Sequence, residues 1–433
     1  MKKLIALLII ICFSTSQFYS QPVTKNSQAL QYSLPESVNV SSERLNRIDN
    51  LFKEYVDQGK CAGALAIVTR NGKIIYYKAV GYDDNESKTP LKKDEIFRIA
   101  SQTKAITSVA AMILFEEGKF LLDEPVSKYI SEFKDEAVID KFNEKDTTFT
   151  TVKVKRQVTI RDLLTHTSGI GYADIGSKMM NAIYAKYGII GGISVRENTL
   201  KDQIKKLGTL PLFHQPGEKW TYGLNDDVLG YLIEVVSGMT LDEFFHKRIF
   251  EPLGMNDTYF YLPKEKQNRL ATLSTEDSLK HTVNARGRTT MFKKFDPDYP
   301  KFNGNYFSGG AGLSSTAYDY AIFLQMILND GIYNGKRILG RNIVRMMRMN
   351  QIGDLFIRGY NKFGLGFEIT TETGSSKLPI SEGTCSWGGI FNSSYWIDPK
   401  EKIIAQIVLQ KYPNSYGDIS NKFITIVYSA LND

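Results

Sequence analysis

Ser101-Gln102-Thr103-Lys104 sets a hydroxyl and an amine at positions i and i+3, a separation at which two side chains on a helix share one face. Ala105, Ile106, Val109, Ala110, Met112, Ile113 and Leu114 follow at helical spacing, so the pattern predicts a helix over 101–117 with Ser101 in its first turn. There the amine can assist removal of the hydroxyl proton. The unpaired N–H groups and positive dipole end of the helix also favour negative charge on a carbonyl oxygen under attack. Together these are the needs of a serine nucleophile with its own proton acceptor. The pattern is short, however, and Ser131-Glu132-Phe133-Lys134 repeats it in a charge-rich stretch that reads as solvated surface. A capping serine and a surface lysine would satisfy it without any chemistry.

The elements around Ser101 decide between those readings. Glu43 to Gln58 reads as an amphipathic helix with Leu45, Ile48, Leu51, Phe52 and Tyr55 on one side. Ala64 to Val68 and Ile74 to Tyr77 read as strands joined across Arg70-Asn71-Gly72-Lys73, where Asn-Gly supplies a tight turn. The middle is helical and loop-rich: Ile160 to Leu164, a glycine-broken stretch from Ile170 to Ile193, Thr199 to Lys206, Asp226 to Val236, and Leu241 to Ile249. Strands return at Phe367 to Thr370, Tyr395 to Ile397 and Ile403 to Leu409, and Lys422 to Leu431 closes the chain as a helix. Strands from both ends with helices between them predict an α+β fold, one antiparallel sheet flanked by helices with an all-α domain inserted and a cleft between the parts. The polar leader up to Val40 and the insert Lys134 to Gln157 are the segments expected to be low in order.

Composition narrows the function. Met1-Lys2-Lys3 and the apolar run Leu4 to Phe13 have the form of a secretory signal peptide over residues 1–20, with Ser14, Ser16 and Ser20 offering small residues for cleavage, so export to the periplasm or medium is expected. The run is too short to span a bilayer, and Ile11 before Cys12 is not the small residue a lipid-anchoring site wants. No transmembrane anchor is expected after processing. Loss of Lys2 and Lys3 lowers the net charge from +7 to +5 over 433 residues less the leader peptide, and no Lys/Arg run is dense enough for nucleic acid. Cys61 and Cys385 could pair in an oxidising compartment, although a chain this long needs no staple. His166, His214, His246 and His281 are scattered, so neither a metal nor another cofactor is expected.

Beyond Phe97 to Lys104, ordered segments accumulate: Asp123 to Tyr129, Leu163-Leu164-Thr165-His166-Thr167-Ser168-Gly169, Pro216 to Tyr222, Glu251 to Met255, Gly309 to Leu313, and Trp387-Gly388-Gly389. With these the mature chain resembles the serine β-lactamase and penicillin-binding-protein superfamily, in particular its class C-like branch and the family VIII carboxylesterases. The resemblance implies a β-lactamase/transpeptidase-like fold over 41–433, with an α/β part near 41–105 and 300–433 and a helical part near 106–299, after a leader over 21–40. It implies that Ser101 is the acylated serine, Lys104 the lysine that helps deprotonate it, and Tyr222 the second acid/base partner beside the leaving group. It further implies an oxyanion hole from the backbone N–H groups of Ser101 and Ile390, the latter following Trp387-Gly388-Gly389 on an edge strand. Lysine and tyrosine ordinarily titrate near 10, so burial and mutual charge are expected to lower at least one of Lys104 and Tyr222. His166 belongs to a structural segment in this superfamily, and no Gly-x-Ser-x-Gly elbow exists for a Ser-His-Asp triad.

Two departures bear on substrate. Leu224 stands where class C enzymes carry the asparagine of Tyr-x-Asn, with Asn225 shifted by one, and Trp387-Gly388-Gly389 replaces Lys-Thr-Gly. The first removes an amide partner for substrate and the second a cation, which disfavours anionic substrates. The expected partner is therefore a small-molecule ester, hydrolysed through an acyl-enzyme. A β-lactamase or D,D-peptidase acting on β-lactam-like substrates is the alternative, and a non-catalytic receptor keeping the fold is a third reading.

Overall fold

The computed structural model describes residues 28–195, 197–288 and 296–432. The predicted signal peptide and Cys12 lie outside the described residues, as does the leader up to residue 27. Asn71 and Gly72 both adopt positive φ, 53° and 73°, which a two-residue hairpin loop of matching twist requires. They join Gly63–Arg70 to Lys73–Asp84. The strand from the other end of the chain, Ile403–Val408, pairs antiparallel with Gly63–Arg70, Val68 lying opposite Ala405. Ser393–Asp398, Cys385–Gly389, Glu368–Ile369 and Lys362–Phe363 continue the sheet outward, all antiparallel. The nine-stranded sheet is thus closed by the two chain ends, and the fold is of the β-lactamase/transpeptidase type.

Period-two alternation sends side chains of Gly63–Arg70 to both faces, and every one of its residues is buried. Leu65 and Ile67 pack into the larger core with Val109, Met112 and Phe323. Ala64, Ala66 and Val68 meet Ile48, Phe52, Phe423 and Val427 of the terminal helices Arg47–Asp57 and Ile419–Ser429. Across the first face lies the helical region, where Asn225–Ser237 packs on Thr103–Glu116, Ile160–Thr165 and Leu200–Gly208.

Two segments expected to be low in order are structured. Ala137–Asn143 and Thr148–Lys153 form an antiparallel hairpin, in which the cross-strand pairs Val138–Val152 and Phe142–Phe149 outweigh the surrounding charge. In the leader, Gln31–Tyr32 adds a short parallel strand beside Lys73–Asp84, and Val40 is buried. Cys61 and Cys385 are both free and buried. They sit in different core clusters, so the contemplated disulfide does not form.

Candidate active site

Ala100 adopts φ +43° while fully buried. A side chain in this left-handed region costs on the order of 1–2 kcal/mol, and the turn it makes delivers Ser101 into the cleft. Ser101 lies on the single 3-10 turn Ala100–Gln102, which runs directly into helix Thr103–Glu116. Successive turns of that helix are tied to the glycine-rich loop: Leu313 N–H donates to Thr103 Oγ1 at 3.1 Å, Lys104 Nζ to Gly310 O at 2.5 Å, and Thr107 Oγ1 to Gly309 O at 2.7 Å. The loop thereby fixes the lysine's height on the helix.

Tyr222 comes from a distant segment. Its phenol donates to Ser101 Oγ at 2.6 Å, and Lys104 Nζ lies 3.4 Å from the same oxygen. Gly223 makes this approach feasible, because a Cβ there would sit 2.0 Å from Ile170 O. Ser101, Lys104 and Tyr222 are therefore gathered within hydrogen-bond reach. The Tyr222 ring is held among Tyr172, His166, Trp220 and Trp387, with centroids 5.1 to 6.1 Å away.

Tyr172 went unnoticed in the sequence. Its hydroxyl receives Lys104 Nζ at 3.3 Å, and a lone tyrosine after Gly171 carries no motif that would have exposed it. Asp227 was missed as well. Its Oδ1 accepts from Ser308 Oγ at 2.6 Å and lies 3.4 Å from Gly310 N, bracing the loop that holds Lys104.

Lys104 is 3% exposed. Burial by itself disfavours the ammonium, but the Tyr172 and Tyr222 phenols and the Asp226 carboxylate outweigh it and hold Lys104 above the ordinary lysine range. Of the pair Lys104 and Tyr222, at least one of which is expected to be lowered, Lys104 is not the lowered one: a buried amine with a carbonyl, two phenols and nearby carboxylates is stabilised as a cation. Burial pushes the Asp227 carboxyl up to about 6.

His166 does not reach Ser101. It caps helix Ile160–Thr165 with φ +58°, its Nδ1 accepts from Asn225 Nδ2 at 2.9 Å, and its Nε2 lies 3.3 Å from Asp226 Oδ2. Burial pushes it below the usual histidine value, leaving a neutral ring. Its backbone carbonyl accepts from Thr221 N at 2.8 Å, which positions the residue before Tyr222. Leu224 is packed in the core, and Asn225 is fully buried with its Oδ1 bound by Ser168. Neither side chain is among those lining the cleft.

Trp387, Gly388, Gly389 and Ile390 line the same cleft as Ser101 and Tyr222, a space of about 1230 Å³. The strand they belong to is not an edge strand as expected, since Glu368–Ile369 pairs with Ser386 and Cys385. Phe367 O is taken instead by Gly364 N, bending the neighbouring chain away, so Trp387 to Gly389 have a strand on one side only. At Gly389 a Cβ would lie 2.5 Å from Ile99 O, and its absence lets this strand close on the turn bearing Ser101. Ile175, Ile189, Ile190, Ile193 and Val195 give the cleft an aliphatic wall. No group of His, Cys, Asp and Glu among the described residues is placed to hold a metal ion. No helix among the described residues is long and apolar enough to cross a membrane.

Comparison with known proteins gives a consistent assignment. The Beta-lactamase family model matches residues 48–428. An uncharacterised protein of Mycobacterium tuberculosis is 33% identical over 377 residues, 84% of this chain and 89% of that relative. Esterase EstB of Burkholderia gladioli is 30% identical over 367 residues, 81% of this chain and 86% of the esterase. Among solved structures, EstCE1, described as a hydrolase with promiscuous acyltransferase activity, superposes with a TM-score of 0.76 at 26% identity, covering 89% of this chain and 99% of its own.

Proposed function

The chain belongs to the Beta-lactamase family, and from that membership we propose that it is an exported serine hydrolase that cleaves carboxylic esters through an acyl-enzyme on Ser101. The observation that carries the reading is the placement of Ser101 Oγ 2.6 Å from the Tyr222 phenol and 3.4 Å from the Lys104 ammonium at the base of an open cleft. The similarity to Esterase EstB of Burkholderia gladioli supports an ester substrate. Export rests on the charged and apolar start of the sequence.

With the Tyr222 phenol proton first given up to solvent, Ser101 Oγ attacks the ester carbonyl as its own proton passes to the Tyr222 oxygen. Lys104, kept charged by its surroundings and 4.8 Å from the Tyr222 ring centre, stabilises negative charge on that oxygen and so makes it the proton acceptor. The carbonyl oxygen, now an oxyanion, is received by the N–H groups of Ser101 and Ile390. Tyr222 returns the proton to the departing alkoxide, the alcohol leaves, and the acyl group stays on Ser101. Water then attacks the acyl-enzyme with the same proton path in reverse.

Trp387 in place of a lysine, Leu224 in the core and Asn225 committed to Ser168 and His166 leave these positions without an amide or ammonium for a β-lactam. Hydrolysis of 4-nitrophenyl butyrate by the purified protein and by Ser101→Ala tests the reading. The wild type is expected to turn over and the variant to lose at least about 10³-fold. Equal rates overturn it, and nitrocefin turnover far above ester turnover replaces the ester with a β-lactam.

A further inference from the structure

Arg358 is the one cationic residue among the described residues lining the cleft, and nothing in the proton path uses it. It precedes Lys362–Phe363 in a tight loop closed by Ile357 N to Asn361 O at 2.9 Å. Its backbone is left-handed, φ +52°, a conformation that costs on the order of 1–2 kcal/mol in a side-chain-bearing residue and persists where surrounding contacts impose it.

The side chain is held from below. Glu368, on the strand beside Cys385–Gly389, is 7% exposed. Its Oε2 accepts from Arg358 Nε at 3.0 Å, and its Oε1 accepts from Asn361 Nδ2 at 2.6 Å. The guanidinium carbon lies 5.9 Å from the Trp387 ring centre. Arg358 nevertheless keeps 63% of its side chain exposed. The buried carboxylate therefore takes the inner N–H and orients the fork, while neither terminal nitrogen donates to an acceptor among the described residues.

A guanidinium held by its Nε and set 5.9 Å from an indole ring centre is arranged for a planar, two-oxygen partner. The rest of the cleft sets which end of a ligand it meets. Asp174 lies against Gly191 of the aliphatic wall and disfavours an anion there, whereas the Arg358 guanidinium stands beside Trp387 and favours one.

We propose that Arg358 is a carboxylate-binding residue of the cleft, and that the preferred esters carry a free carboxylate. This rests on the ester-hydrolase reading above. It also changes the substrate inference drawn from Trp387-Gly388-Gly389: the cation absent from that strand is supplied beside it, from the loop before Lys362–Phe363.

Two matched pairs of esters test the proposal and locate the charge. On the alcohol side these are 4-acetoxybenzoate and its methyl ester; on the acyl side, mono-4-nitrophenyl adipate and 4-nitrophenyl hexanoate. The readout is the ratio of kcat/KM, charged over neutral, for wild type, Arg358→Gln and Arg358→Lys. In at least one pair the ratio is expected to fall about fivefold in Arg358→Gln, in line with a partly exposed ion pair, and to lie between wild type and Arg358→Gln in Arg358→Lys, which keeps the charge without the fork. The pair that responds shows which part of the ester carries the anion. Raising salt from about 0.05 to about 0.5 M should lower the wild-type ratio by screening, a measurement that needs no variant to fold. Ratios unmoved by substitution and by salt in both pairs overturn the carboxylate site while leaving the esterase intact. If the wild type hydrolyses none of the four, the esterase reading falls and takes this inference with it.

Discussion

The two sides of the cleft are built differently. On the side of helix Thr103–Glu116 the polar side chains near the reaction are buried and bound to one another: Lys104 to Gly310, Tyr172 and Ser101, Asp227 to Ser308, and His166 to Asn225. On the other side, Ile190, Ile193, Val195 and Trp387 are partly exposed amid aliphatic and ring contacts, and Arg358 is exposed with only its Nε tied to the Glu368 carboxylate. The difference teaches where each property is fixed. Proton transfer needs atoms placed within a few tenths of an ångström, which a dense buried network supplies, whereas recognition of a variable ester needs surface that can change without disturbing that network.

Substitutions can break this contrast, and the largest effect belongs on the buried side. Tyr222→Phe keeps the ring among Trp220, Trp387 and Tyr172 and removes only the oxygen beside Ser101. Ester kcat should fall about 10²- to 10⁴-fold with stability changed by less than about 1 kcal/mol. Near-normal turnover would mean the phenol carries no proton. Next is His166→Ala, which strands Asn225 and Asp226 in the core. Urea unfolding should show a loss of about 3 kcal/mol, and a loss under 1 kcal/mol would show that the network tolerates gaps.

A third test uses pH. With its folded value raised to about 6 against an ordinary 3.8, Asp227 binds its proton more tightly in the native state. Its contribution to stability is complete below about pH 4 and is lost as pH rises through about 6. Asp227→Asn removes that loss, so the wild-type stability measured against the variant should decline between pH 4 and 7, by on the order of 1–3 kcal/mol. A constant difference across that range would place the carboxyl in a less confining site. The smallest effect is expected on the open side: Ile190→Ala should change KM for a hydrophobic ester by a factor of a few and stability by less than about 1 kcal/mol. A collapse of stability there would erase the contrast between the two sides.

Much of the scaffold was legible because its signals are local. Asn71-Gly72 demanded a tight turn, and the run from Ala105 to Leu114 demanded a buried helix. The hairpin of 137–153 was hidden because most of its positions face water and a register shift between Ile139 and Lys141 breaks the period-two pattern. The one-sided exposure of Trp387 to Gly389 was anticipated from the wrong cause: it arises where Phe367 turns back on Gly364 in a neighbouring strand, not from a place at the sheet edge. Tyr172, Asp227 and Arg358 stood in no motif and became visible only when their partners were known.

Ser101 and Lys104 were linked by sequence alone, since three residues along a helix leave two side chains little choice but to meet. Which of them is charged was not. That depends on Tyr172, Tyr222, Asp226 and the Gly310 carbonyl, brought from 68 to 206 residues away in the chain. The charge of a buried amine is decided by the summed field and hydrogen bonds of whatever surrounds it, and only the folded chain determines those neighbours.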